Sequence, residues 1–416
     1  MRLDGRFVRL SVAIALLALP QSATAAQPLI VGNGTPASCT EAALLRAVAV
    51  AAVSGGGTIR FRCGTNPVTI VLTAALTPPN NTTIDGGGVI ALDRVIFEGS
   101  RFSVFVAAHT TVVLKNLGYR ASIAISNEGT LVVKNNRFSG NGIGIDNTGT
   151  LKIDESTFSG IGAGLGSGII NSGTLEVNNS MFFDGNSLGI GPAINNAGEA
   201  IVHASTFFDN RAEEGGAIFN WGTLTIDHST FARNGAECGG AISNSGTLTV
   251  KQSMFSGNVT SGALCASGIG GAIFNFSGTL TIYNSELFGN RAGGGLGGAI
   301  ANWTSSGTVT IYDSALFDNG AGAELGGPVV NDFYARGGAV YNAGTLTIYN
   351  SELFGNTAGN KGGGVFSEGG ALTVIDSVIT RNTALVDGGG IYTCCGGTLT
   401  LEDTAVTGNT PNDIVP

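Results

Sequence analysis

Three features of this 416-residue sequence predict an all-β fold, specifically a right-handed parallel β-helix solenoid with a short N-terminal capping helix. A Gly that usually precedes Thr-Leu-Thr-Ile recurs eleven times between Gly129 and Gly397, and apolar residues keep constant offsets from it. Gly is about twice as frequent as in an average domain, as tight winding requires.

The repeat has one buried face. Two residues after each anchor Gly stands an apolar residue, from Leu131 through Ala200 to Leu399, and two further on another, from Val133 to Leu401. This period of two marks a strand. Nine residues after the anchor stand Phe138, Phe158, Phe182, Phe207, Phe231 and Phe255, then Leu287, Leu316, Leu353, Ile379 and Val406. A β-branched column from Ile125 to Ile391 precedes the anchors. One such repeat is too short to form a domain, but stacked coils bury four apolar ladders continuously. At a strand spacing of about 4.8 Å, the repeats span a rod of about 50 Å.

Turn chemistry follows the same register. Asn141, Asn210, Asn234, Asn258, Asn290, Asn319, Asn356, Asn382 and Asn409 lie twelve residues after their anchors, and Ile161 and Gly185 interrupt the column. Asn tolerates turn geometry and bonds neighbouring backbone, so an Asn ladder is expected along one corner.

Residues 1–25 read as a secretory signal peptide: Arg2, Arg6 and Arg9 precede a short apolar run that ends in small residues around Ala23 and Ala25. The run is too short for a stable membrane anchor, and no transmembrane segment is expected after its removal. Removing its three Arg and one Asp takes the formal charge from −9 to −11, which excludes nucleic acid and anionic membrane as natural partners. Residues 26–88 read as the N-terminal cap with the first coils, and residues 89–416 as the β-helix. In the cap, Thr40 is placed to N-cap a helix from about Glu41 to Val53 that ends at Gly55 and Gly56.

Six cysteines in an exported chain favour disulfides. Cys39 and Cys63 bracket the cap helix and pair across it. Cys238 and Cys265 occupy the same corner of successive coils and staple them. Cys394 and Cys395 are adjacent, and a vicinal bond or two free thiols both fit.

Gly-Gly-Ala-Ile stands at 215–218, 239–242, 270–273 and 297–300, and Phe-x-x-Asn begins at Phe138, Phe207, Phe231 and Phe255. These motifs, over roughly residues 120–409, resemble the repeats of polymorphic outer membrane proteins within the pectate-lyase-like superfamily of right-handed parallel β-helices. The resemblance implies an exported protein of the outer cell surface or the extracellular space with an adhesive role. Members of that group often add a C-terminal membrane barrel; this sequence stops at Pro416 soon after its last repeat, so a barrel of its own is not expected. Residues 32–88 also resemble the segment that precedes such helices in bacterial exported proteins.

All length variation falls between the Asn column and the next Ile column, so insertions project from one corner, a natural recognition edge. The longest lie at 258–273 and 319–340; the second carries Glu324, Asp332, Tyr334 and Arg336. Tyr283, Tyr312 and Tyr349 follow a buried column and point outward by alternation, as do Phe288, Phe317 and Phe354 after the next one. Both triplets are candidate ligand-binding ladders for sugars or a partner chain. A further outward column holds Phe219, Phe274, Tyr341, Phe366 and Tyr392.

The superfamily resemblance also prompts a search for catalytic carboxylates. The His residues, at 109, 203 and 228, look scattered. The best candidates lie in a polar column of His228, Asn284, Asp313, Asn350, Asp376 and Asp403, where Asp376 and Asp403 fall on neighbouring coils with Arg381 near. Such a pair suits Ca²⁺ or a shifted acid; no other metal or cofactor is expected. The leading expectation is a non-catalytic secreted or cell-surface protein that presents loops and aromatic ladders to a polysaccharide or a cell-surface protein. The alternatives are a polysaccharide lyase or glycoside hydrolase and a purely structural envelope or matrix component.

Overall fold

The computed structural model describes residues 27–94, 102–120, 123–162, 167–261, 268–322 and 334–416. Residues 1–25, read above as a signal peptide, and Cys265, Glu324 and Asp332 lie outside the described residues.

Each full coil begins with a five-residue strand such as Thr279–Tyr283, turns, and continues as a three-residue strand such as Glu286–Phe288. Stacked in register, these two strands form one 27-stranded sheet, merged where the long strands Thr82–Arg94 and Thr111–Tyr119 run through both. The Ile column belongs to a second, 13-stranded sheet running from Phe102–Val106 to Ile414–Val415. A third sheet of six two-residue strands, from Gly235–Ala236 to Thr383–Ala384, follows the Asn corner and was not foreseen from the repeat. Among the described residues every paired strand is parallel to its neighbour on the next coil, so successive coils stack in register.

The core occupies the bore. Phe138 to Phe255 stack face to face with centroids 4.4–4.8 Å apart, and Tyr119 extends the column back by one coil. Full burial of each ring removes about 2–3 kcal/mol worth of apolar surface from water, and the rise of one strand brings like rings into contact.

Polar groups inside the bore are satisfied by repetition. In the predicted Asn ladder, the Asn290 amide donates to Asn319 Oδ1 (3.0 Å) and to the Phe255 carbonyl (3.0 Å), while its own oxygen accepts from Asn258. Gly185 marks the interruption, its N–H donating to Asn210 Oδ1. A second Asn ladder, two residues after the Ile column, went unread in the sequence. It runs from Asn127 to Asn342, each amide donating to the next Asn at 2.6–2.9 Å. A Ser ladder, Ser156 to Ser377, fills the corner between the first two strands by accepting backbone N–H bonds from the preceding coil.

The cap is as expected. The helix spans Glu41–Val53, Thr40 Oγ1 accepts from Ala43 N, and Leu44, Ala47 and Ala51 cover the end of the bore. Cys39 and Cys63 are disulfide-bonded, tying the residue before the N-cap Thr40 to the segment just after strand Gly57–Phe61. Cys238 is also disulfide-bonded, whereas Cys394 and Cys395 are free thiols. At the other end Asp413 accepts from both nitrogens of Asn409, terminating the ladder.

Replacing Asn290 by Ala strands buried Asn258 donors on the preceding coil and removes the bonds that Asn290 donates to the Phe255 carbonyl and Asn319 Oδ1; it is expected to lower unfolding stability by about 3 kcal/mol in urea titration. Replacing Cys39 and Cys63 together by Ser releases a 24-residue loop; a loss of about 3 kcal/mol is expected, with helix fraying visible as faster amide exchange in residues 41–53.

Candidate functional site

The Gly-Gly-Ala-Ile motif shapes the outer face of the second sheet. Gly239 takes φ +64°, a left-handed turn, and a Cβ on Gly240 would collide with the Gly271 carbonyl of the next coil. This turn lets the preceding segment fold over the sheet it is about to enter. Glu214, Cys238, Ile269, Leu296, Arg336, Lys361 and Asp387 are bridged in parallel along that segment.

The covering segment changes the expected picture of the outward column. Phe219, Phe274, Tyr341 and Phe366 do point away from the bore, yet they are buried under it. Phe274, Tyr341 and Phe366 form a second apolar cluster outside the bore with Cys238, Ile269 and Leu296. Alternation in a strand reports which face a side chain takes, and says nothing of what later lies over that face.

Where the cover is incomplete a groove of ≈ 560 Å³ opens. One wall carries Ile190, Glu214 and Ile269 from the bridged segment, the floor carries Phe219 and Phe274, and the far wall carries Trp221, Phe276 and Trp303. Trp221 and Phe276 are 60% and 45% exposed, unusual for side chains of this size. Between Phe219 and Phe274 the register places Ser243, and between Trp221 and Phe276 the neighbouring coil has Ser245. A missing aromatic rung therefore leaves two coil rises, about 10 Å, between ring positions.

Glu214 is the carboxylate lining this groove. It is held above the ordinary glutamate range, first by burial, with a smaller opposing pull from the Ser243 hydroxyl and a small push from Glu213. Ser243 Oγ is buried close by and makes no well-formed hydrogen bond.

Further along the same face, cations lie on the ring column. Arg336 sits 4.9 Å over Phe366 and 3.3 Å from Glu368, which also accepts from the Tyr341 hydroxyl at 2.7 Å. Lys361 sits 4.2 Å over Tyr392 and donates to its hydroxyl. Beside them, burial, with the neighbouring Cys395 adding to it, pushes the Cys394 thiol up to about 12.

The predicted ladders lie on the outer face of the 27-stranded sheet. Tyr283, Tyr312 and Tyr349 stack at 4.9 Å within 5° of parallel, and Phe288, Phe317 and Phe354 at 4.9 and 5.0 Å. Within each stack the ring faces cover one another, leaving edges and end faces. Tyr283, at one end, lines a shallow depression with Lys251 and Gln252. Asp376 and Asp403 sit at left-handed corner positions with φ of 49° and 43°, shared by the whole polar column from His228 on. Arg381, also left-handed, lies 5.6 Å over the Phe354 ring.

Residues 121–277 match the family described as "Right handed beta helix region". The fold is a right-handed parallel β-helix. The match identifies the helix and not the particular type of repeat. No curated protein matches the sequence.

Among solved structures, the A-module of a mannuronan C-5 epimerase from Azotobacter vinelandii is similar at 12% identity and TM-score 0.44, covering 91% of this chain and 97% of its own. The surface adhesin PfbA of Streptococcus pneumoniae is similar at 11% and 0.39, covering 93% of both chains. The catalytic unit of an α-1,3-glucanase from Streptomyces thermodiastaticus is similar at 17% and 0.37, covering 91% and 69%. At such values these likenesses carry no statement about activity, and the fold stands on strand register and the family match.

Trp221, Phe276, Trp303 and Glu214 were not read from the sequence. The signal existed: Trp221, Phe276 and Trp303 each directly follow an Asn of the second ladder. Raised by burial, the Glu214 carboxyl favours the folded state when protonated and opposes it when charged, so its penalty sets in as pH rises through the folded value. Glu214→Gln is expected to melt higher than the parent at pH 7, the difference vanishing in thermal scans below about pH 4, where both side chains are neutral in either state.

Proposed function

We propose that this chain is an exported, non-catalytic β-helix protein that binds a neutral polysaccharide in the groove between Phe219–Trp221 and Phe274–Phe276. The missing aromatic rung carries this reading. A gap of about two coil rises between stacked ring positions admits one flat ring such as a sugar, whose apolar face suits aromatic walls. Concave, mostly apolar surface with few polar groups is the usual form of a small-ligand site; here Glu214, Ser245 and Ser277 supply the polar contacts. The net charge of −9 disfavours a polyanion. Hydrolysis by the usual route requires two carboxylates about the scissile bond, and Glu214 is the carboxylate lining the groove.

The chain contains two Trp, and both line this groove, so intrinsic fluorescence reports its occupancy directly. Titration with neutral glucans, mannans and xylans is expected to give a saturable spectral change with at least one of them and none with polyuronate. Trp221→Ala and Phe276→Ala should each weaken affinity by about tenfold, the scale of one well-placed ring, with melting temperature unchanged. Absence of saturable binding across the panel, or appearance of new reducing or unsaturated ends on incubation, would overturn the reading.

A further inference from the structure

We infer that His203, Asp227 and His228 form a binding site for a divalent transition metal of the zinc class, separate from the groove and independent of the function proposed for it.

The site comes from the register. His203 ends strand Glu199–His203 and Asp227 ends strand Thr223–Asp227, and the two are direct partners on neighbouring coils. Their side chains therefore stand on the same outer face, one coil rise apart. His228 follows Asp227 in sequence and by simple alternation would point the other way. Its left-handed corner conformation, φ 49°, instead brings its ring beside the same carboxylate. His203 and His228, which look scattered along the chain, thus converge on Asp227.

The distances suit an ion. His203 Nδ1 lies 3.1 Å from Asp227 Oδ2, and His228 Nδ1 lies 2.9 Å from Asp227 Oδ1. Potential ligand atoms of all three residues fall within 4.8 Å of one another. Zinc bonds of about 2.0–2.2 Å place tetrahedral ligand atoms about 3.3 Å apart, so small side-chain rotations close the set around one ion. The side chains are 45%, 27% and 49% exposed, leaving the remaining coordination positions open to water.

The donor set selects the metal. Two imidazoles and one carboxylate suit Zn²⁺, Ni²⁺ or Cu²⁺, whereas Ca²⁺ takes six to eight oxygens. Neighbouring coils frame the site: Ala204 stands before His228 and leaves room, while Lys251, the other register partner of Asp227, bounds it with a flexible cation. The Asp227 carboxylate is already the shared acceptor of both rings, so the residues are gathered before any ion arrives.

The test is equilibrium dialysis of the untagged chain against ZnCl₂, in a Cys394→Ser/Cys395→Ser background because free thiols also hold zinc. One ion per chain is expected, insensitive to excess Ca²⁺. His203→Ala, His228→Ala and Asp227→Asn should each weaken zinc at least tenfold with unchanged circular dichroism. Substitution by Co²⁺ should add visible ligand-field absorption in the parent that His228→Ala abolishes. No saturable zinc uptake, or full retention of affinity in the folded His variants, overturns the inference.

Discussion

In-register stacking of one coil on the next, at the spacing of a parallel strand pair, is the constraint on which the rest of this molecule depends. Every side chain inside the bore has its counterpart about 4.8 Å above and below, so a residue works best when it can bond or pack against a copy of itself. Phe and Asn both meet that condition, Phe by stacking its ring and Asn by donating to the amide oxygen of the next Asn while using its other proton on backbone. A buried amide that would be costly alone becomes one link of a chain in which neighbours satisfy each other.

That same demand concentrates variation at one corner. Strand residues cannot be added without shifting every ladder, so insertions enter after the third sheet, where a two-residue strand makes the smallest commitment to register. The described residues that lead from this corner into the second sheet, such as Ile269 and Arg336, are held by parallel bridges from coil to coil. The groove arises where the outer column carries Ser243 and Ser245 instead of rings. Within a periodic structure, a recess comes from an omission as readily as from an added loop.

Much of this was legible from offsets alone. The four apolar columns, the Asn corner with its break at Gly185, the cap helix from Glu41 to Val53 and the Cys39–Cys63 bond all follow from local spacing, because each depends on residues that repeat or lie near one another. The outward direction of Tyr283, Tyr312 and Tyr349 was legible for the same reason. Burial of Phe219, Phe274, Tyr341 and Phe366 was not, since it depends on how the preceding segment folds back. Nor was the meeting of His203 with His228, which requires both a strand partner on the next coil and a left-handed corner.

The sequence by itself thus determined the coil, its repeat and its capped end, since periodic burial and turn residues are properties of short stretches of chain. Only the tertiary structure decided which outward residues meet solvent, which are covered, and where carboxylates and imidazoles gather. Those outcomes rest on contacts between segments 24 or more residues apart, across a corner whose path no local pattern encodes.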